Sequence, residues 1–292
     1  MPGASTGLVA LLGDPVAHSI SPAMQNAAFR TAGLDLVYLA FRVPAEELGA
    51  AVAGLRALGA VGANVTVPHK VAVLQWLDEL SPEARLLGAV NTVVREKGRL
   101  VGHNTDAYGF RRALEEGLGR LPRTAVIAGA GGAARAAALE LARAGAARLT
   151  VVNRTPERGQ ALVEEVRRHF PGCRAEALPL GVEMAEALRG AELLVNATSV
   201  GMWPHSEEPP LLDPDWLPPG LVVCDLVYNP RETALIRAAR ARGLPTVTGE
   251  QMLLYQGARA FELWTGQPAP VEEMRRALLE ALAAWPGARE RG

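Results

Sequence analysis

Short apolar runs and amphipathic stretches alternate along almost the whole chain, punctuated by turn residues. Residues 8–12 are apolar and stop at Gly13-Asp14-Pro15, which predicts a first strand and a turn. Ser21-Pro22 reads as an N-cap followed by proline at the first helical position, opening a short helix that Gly33 ends. Residues 37–42 read as a strand, 46–58 as a helix, and 61–67 as β-prone. Residues 71–77 and 82–87 read as short helices. Residues 90–95 and 99–101 flank Glu96-Lys97-Gly98 as a hairpin, and a helix follows over 107–118.

A second rhythm starts at Thr124. Strands are predicted over 124–128, 149–152, 193–196, 221–225 and 246–248. Helices are predicted over 132–144, 156–169, 231–242, 251–265 and 271–284, with a proline-rich loop over 204–219. Repeated strand–helix–strand units imply parallel sheet with right-handed crossovers, an α/β architecture. A length of 292 residues suits two domains, each large enough to bury a core without a metal or disulfide staple.

Composition narrows the partners. The formal net charge is −1 and aromatic residues make up 5%, so neither nucleic acid nor an anionic membrane is expected as a partner. No apolar run approaches the ~18 residues of a membrane span. The opening residues, MPGASTGLVALLG, lack a basic leader and read as a strand rather than a signal peptide. Cys173 and Cys224 are too few and too isolated for a disulfide framework or a zinc site. No metal is expected, and a reducing, cytoplasmic setting is. Of 30 basic residues only Lys70 and Lys97 are lysines.

The clearest motif is Gly129-Ala130-Gly131-Gly132-Ala133-Ala134, a G-x-G-x-x-A run between an apolar strand and an alanine-rich helix. Gly129 permits the tight turn, Gly131 lets the backbone approach a pyrophosphate, and Ala134 lets helix pack on strand. The helix N-terminus offers free N–H groups to the phosphates. At the end of the next strand stand Asn153, Arg154 and Thr155, with Arg158 one turn later, where an NAD site carries a carboxylate. Two arginines there suit the 2′-phosphate of NADP(H); Glu157 between them argues the other way.

Before residue 107 the strand ends are polar. Ser19 and Ser21 stand at a helix start and suit a carboxylate, although Ser21 also reads as a plain cap. Asn64 and Thr66 share one face by alternation, and Lys70 follows. Asn91-Thr92 and Asn104-Thr105-Asp106 add amides, hydroxyls and one carboxylate, a set that fits a hydroxylated ligand. Hydride reduction of a ketone leaves an oxygen that needs a proton. A lysine ammonium can supply one; an arginine, always protonated, cannot. In an arginine-rich chain, Lys70 therefore reads as a proton carrier and Asp106 as its partner, with a surface lysine and a helix cap as the ordinary alternatives.

GDPVAHSISP, NVTVPHK, GAVNTV, GHNTDAYG, GAGGAARA with NRTPER, NATSVGM, DLVYNPRETAL and GEQMLLYQGARAF occur in this order over nearly the whole chain. Together they resemble the shikimate dehydrogenase family. The resemblance implies NADPH-dependent reduction of 3-dehydroshikimate to shikimate, in the route to chorismate and the aromatic amino acids. It implies that Ser19 and Ser21 bind the substrate carboxylate and that Asn64, Thr66, Asn91 and Asp106 bind ring hydroxyls. Lys70 and Asp106 would form the catalytic pair, and Tyr228 and Gln256 would complete the pocket. Gly129, Ala130, Gly131, Gly132, Ala133, Asn153, Arg154, Thr155 and Arg158 would hold NADP(H), with Thr198, Val227, Gly249 and Met252 near its nicotinamide. The implied domains are residues 1–105 plus 250–292, an α/β substrate domain completed by C-terminal helices, and residues 106–249, a Rossmann-type parallel-sheet domain for NADP. The active site is expected between them, in a monomer or homodimer. Gln25 and His69 depart from the family pattern, where histidine and phenylalanine are usual. Two other readings stand beside this one: a quinate/shikimate dehydrogenase with relaxed cofactor use, and a non-catalytic NADP-responsive binding protein.

Overall fold

The two rhythms of the chain close as two separate sheets, described in a computed structural model over residues 3–285. Residues 1–2 and 286–292, part of the expected substrate domain, lie outside the described residues. One compact unit takes in the chain up to Asp106 and Leu254–Ala283; the other takes in Ala107–Leu253.

The first unit is built from β1 (Gly7–Gly13), α1 (Ser21–Thr31), β2 (Leu36–Arg42), α2 (Leu48–Ala57), β3 (Gly62–Val65), β4 (Glu79–Leu80), α3 (Pro82–Leu87), β5 (Thr92–Glu96) and β6 (Arg99–His103). Its sheet has the order β2-β1-β3-β5-β6-β4. β1 runs parallel to β2 and β3, but β5 is antiparallel to both β3 and β6, so this sheet is mixed rather than parallel. The reason is the hairpin. Lys97 (φ 49°) and Gly98 (φ 82°) are both left-handed, the conformation of a two-residue turn that reverses the chain without a crossover helix.

The second unit continues with α4 (Asp106–Leu118), β7 (Thr124–Ala128), α5 (Gly132–Arg143), β8 (Arg148–Asn153), α6 (Pro156–His169), β9 (Arg174–Pro179), α7 (Glu183–Arg189), β10 (Leu193–Asn196), β11 (Val222–Asp225), α8 (Ala234–Ala241) and β12 (Thr246–Thr248). The chain then forms α9 (Gly249–Thr265) and α10 (Val271–Ala283). The second sheet is wholly parallel, in the order β12-β11-β10-β7-β8-β9, which is the dinucleotide-binding arrangement with its switch point between β7 and β10. Ala134, Ala136, Ala137 and Ala138 of α5 are buried, and their small side chains let this helix lie close to its neighbours.

Several boundaries differ from the sequence pattern. Ser21 does not cap α1; Ile20 holds that position without a side-chain bond. The helix expected from residue 46 starts at Leu48 behind a 3-10 turn, and 71–77 is a 3-10 segment, Ala72–Trp76. α8 starts three residues late, where Thr233 accepts the Ile236 N–H and caps it. The pattern does not predict β4, β9 or α7: β4 has two residues, and β9 is a half-exposed edge strand without an apolar run.

From Leu254 onward α9 belongs to the first unit. Gln25 Nε2 donates to the Gly257 carbonyl at 2.9 Å, Trp264 Nε1 donates to the Val93 carbonyl at 3.0 Å, and Phe29 stacks on Phe261 at 5.7 Å. Gln25, a departure from the family pattern, is thus a buried bond between α1 and α9. Tyr255 is buried, as core, and its hydroxyl accepts from Arg275.

Candidate active site

In the first unit, the polar residues after β3 and β6 converge. Asn64 is buried, and its amide is used by the protein: Nδ2 donates to the Asn91 carbonyl at 2.9 Å and to Thr92 Oγ1 at 3.0 Å, and Oδ1 accepts from Tyr38 Oη at 2.8 Å. Beyond β3 the backbone is pinned. Thr66 N–H donates to the Leu12 carbonyl, His69 N–H to the Thr66 carbonyl, and Val90 N–H to the Lys70 carbonyl. The buried His69 ring holds the same segment through Nε2, 2.6 Å from the Val43 carbonyl. His69, the second departure from the family pattern, therefore anchors the loop that presents Lys70.

Lys70 Nζ lies 2.6 Å from Asp106 Oδ2, in an ion pair whose side chains are 30% and 13% exposed. The ammonium is fixed yet open enough to meet a small ligand. The other carboxylate oxygen, Oδ1, accepts from Asn91 Nδ2 at 2.8 Å. Asp106 is thus not a helix cap: Asn104 Oδ1 accepts its N–H at 3.0 Å, leaving the carboxylate to Lys70 and Asn91. Asn91 also accepts the Thr105 N–H at 2.8 Å, and Gln256 Oε1 stands 3.4 Å from both Asn91 Nδ2 and Thr105 Oγ1. Thr66 directly follows β3, its hydroxyl without a hydrogen-bond partner among the described residues. Ser19 Oγ accepts the Ser21 N–H at 3.3 Å. Burial raises the Tyr38 phenol above its ordinary range, and its neutral hydroxyl donates to Asn64 Oδ1.

The second unit gathers its candidates at the carboxyl ends of β7, β8, β10, β11 and β12, the edge where parallel sheets bind ligands. Gly129 has φ +108°, and a Cβ there would stand 2.8 Å from the Ala197 carbonyl oxygen, so only glycine fits. At Gly131, the N-cap of α5, and at Gly132, a Cβ would meet no atom within 4 Å. The turn is open above the free N–H groups of the helix, the shape a pyrophosphate requires. Ala130 and Ala133 flank that opening. Asn153 Nδ2 donates to the Thr155 carbonyl at 2.8 Å, fixing the corner that carries Arg154 and Arg158. Both arginines are exposed, and neither side chain has a partner among the described residues. Free guanidinium groups at this strand end match a 2′-phosphate.

Thr198 follows β10, Val227 follows β11, and Gly249 opens α9, with Met252 one turn on. A Cβ at Gly249 would stand 2.5 Å from the Leu226 oxygen and 2.6 Å from the Val227 oxygen, so this close backbone approach requires glycine. Tyr228 lies here in the second unit, and burial raises its phenol.

Sequence reasoning missed Tyr38, whose apolar strand context hides its hydroxyl, and gave Thr105 no role. It also missed Asp225. The signal was present: LLVN and VVCD each close an apolar run with a polar residue, and Asn196 and Asp225 are register partners. Among the described residues no His/Cys/Asp/Glu group could hold a metal ion, and no helix is long and apolar enough to cross a membrane.

Three family models match this chain: the shikimate dehydrogenase substrate binding domain over residues 11–93, shikimate / quinate 5-dehydrogenase over 115–202, and the shikimate 5'-dehydrogenase C-terminal domain over 249–279. The chain is 54% identical to shikimate dehydrogenase (NADP(+)) of Moorella thermoacetica, over 97% of this chain and 96% of that protein. It superposes with TM-score 0.91 and 42% identity on a crystal structure of shikimate dehydrogenase in complex with NADP+, covering 97% of this chain and 98% of that one. With TM-score 0.83 and 44% identity it matches shikimate 5-dehydrogenase from Thermus thermophilus in complex with NADP(H) and shikimate, covering 94% and 99%.

Proposed function

The chain belongs to the shikimate dehydrogenase family, and on that premise we propose that it reduces 3-dehydroshikimate to shikimate with NADPH through the residues described above. It is an NADP-dependent oxidoreductase acting on a CH–OH group, in the biosynthesis of aromatic amino acids. The observation that carries the residue assignment is the Lys70–Asp106 ion pair, held by Asn91 and left partly open.

NADPH supplies the hydride when bound on the Gly129–Gly132 turn, with Ala130, Ala133, Asn153, Arg154, Thr155 and Arg158 holding its phosphates and adenosine ribose. Thr198, Val227, Gly249 and Met252 line the nicotinamide end. Ser19 and Ser21, at the positive end of the 11-residue α1, bind the substrate carboxylate. Thr66, Asn64, Asn91 and Gln256 orient the ring hydroxyls, and Tyr228 also contributes to substrate binding. As hydride reaches the ketone carbon, Lys70 Nζ gives a proton to the ketone oxygen. Asp106 keeps the ammonium aimed and stabilises its charge before transfer. In the reverse direction the alcohol proton returns to Nζ.

Consumption of NADPH with 3-dehydroshikimate tests the activity directly. Lys70→Ala is expected to lower kcat by about 10²- to 10⁴-fold, the contribution of a placed proton donor, while shikimate still binds. An unchanged kcat would remove Lys70 from the mechanism.

A further inference from the structure

One buried carboxylate has no part in the proton transfer just described. Asp225 closes β11 in the second unit and is fully buried. Its Oδ1 accepts from Asn196 Nδ2 at 2.9 Å and from the Val227 N–H at 3.0 Å, and its Oδ2 accepts from Thr233 Oγ1 at 2.6 Å. None of these donors is a cation. Burial pushes the carboxyl up to about 6, against the opposing pull of its three hydrogen bonds. At neutral pH the fold thus keeps an ionised group in a place that disfavours ionisation. Such a cost concentrates at functional sites.

The bonds lead to the cofactor edge. A carboxylate only accepts, so Asn196 must turn its amide nitrogen toward Asp225 and its oxygen the other way. That oxygen receives the Thr198 N–H at 3.1 Å and the Thr198 Oγ1 hydrogen at 2.7 Å. With its proton so directed, Thr198 Oγ1 accepts the Val200 N–H at 3.1 Å. Through Val227 N–H the same carboxylate fixes the next strand end. Two turns from two strands are set by one group.

We propose that Asp225 is a positioning residue for hydride transfer: through Asn196 it sets Thr198, and directly it sets Val227, so that together they fix the nicotinamide end of the cofactor. This rests on Thr198 and Val227 being cofactor contacts. Thr233 takes no part in that alignment. It caps α8 through the Ile236 N–H and ties the helix to the sheet.

The division of labour gives the test. Asp225→Ala, Asp225→Asn and Thr233→Val are compared by kcat, KM for NADPH, thermal midpoint and the primary deuterium isotope effect with 4-deuterated NADPH. Asp225→Ala removes the closer acceptor of the Asn196 amide and leaves it the Val200 carbonyl at 3.3 Å; it is expected to lower kcat at least tenfold, raise KM for NADPH several-fold and raise the isotope effect, with KM for the ring substrate little changed. Asp225→Asn keeps an oxygen for Asn196 and Val227, and is expected to restore most of the rate. Thr233→Val is expected to lower the thermal midpoint while leaving kcat and the isotope effect near wild type. If Asp225→Ala does not fold, Asn196→Ser replaces it, since it cuts the link to Thr198 and leaves the Thr233 and Val227 bonds in place. The proposal is overturned if the isotope effect stays at the wild-type value in both variants, or if kcat in Thr233→Val falls as far as in Asp225→Ala. Failure of the underlying reading looks different: substitutions at Thr198 and Val227 would then leave NADPH kinetics unchanged.

Discussion

Each unit joins an aspartate to an asparagine near its strand ends, and the two pairs are wired differently. Asp106 accepts from Asn91 and faces a lysine at 2.6 Å. Asp225 accepts from Asn196 and meets only neutral donors. In the first pair Asn91 is buried and Asp106 partly exposed, and the charge is balanced by a group that can give up a proton. The second is fully buried, and its charge orients backbone and amide dipoles. On the roles proposed above, the same two residue types serve proton chemistry in one unit and geometry in the other. What separates them is whether a cation and solvent are within reach.

The largest effect should come from breaking the balanced pair. Asp106→Leu leaves Lys70 without its counter-ion and Asn91 without its acceptor. Steady-state assays should show kcat/KM reduced by at least about 10²-fold, since one placed proton-handling group is worth about that much or more. A smaller loss than in Asp225→Ala would invert the comparison.

Next is stability against pH. The Asp225 carboxyl lies at about 6 in the fold against an ordinary 3.8, so the folded state binds the proton more tightly. The stability this proton adds is complete below about pH 4 and is lost as pH rises through about 6, a change of about 3 kcal/mol. Denaturant unfolding of wild type and Asp225→Asn from pH 4 to pH 7.5 should show the wild type losing ground relative to the variant. Parallel curves would show that burial leaves the carboxyl near its ordinary value.

The two arginines of the second unit sharpen the contrast further, because they wait for their counter-charge in the ligand. Arg154→Ser together with Arg158→Ser should lower kcat/KM for NADPH by about 10- to 100-fold, the worth of one or two charge-assisted hydrogen bonds. The value for NADH should change little. Equal losses with both cofactors would mean that the pair does not read the 2′-phosphate.

The smallest effect belongs to the frame. Gln25→Leu removes one bond from α1 to Gly257 and one orphaned acceptor, Oε1, with it. Chemical denaturation should register a change of about 1 kcal/mol or less, with kcat unaffected. A large loss of activity would mean that this bond also holds the neighbouring Gln256 in place for the substrate.

Much of this could be read from residue order. The G-x-G-x-x-A turn, the arginines after β8 and the lysine in an arginine-rich chain are local signals. Each depends on backbone freedom, charge or side-chain chemistry that a residue has wherever it stands. The parallel order of the second sheet followed from the strand–helix rhythm, because crossovers of one hand leave few arrangements. Of the pairings distant in sequence, Lys70 with Asp106, 36 residues away, was legible from the chemistry of a lysine in an arginine-rich chain, and the structure shows it. The bond from Tyr38 to Asn64 and those from Asn196 and Thr233 to Asp225 were not. Tyr38 gave no chemical signal in its apolar strand, and the polar ends of LLVN and VVCD did not by themselves tell that Asn196 and Asp225 would pair. A buried polar group takes its role from the partners that folding brings to it, and hydrogen bonds reach only about 3 Å. The sequence by itself determined which groups could bind a dinucleotide and move a proton. Only the tertiary structure decided that Asp106 would stay partly open beside its lysine while Asp225 would be buried among neutral donors, because burial and distance, not residue type, set the surroundings of a charge.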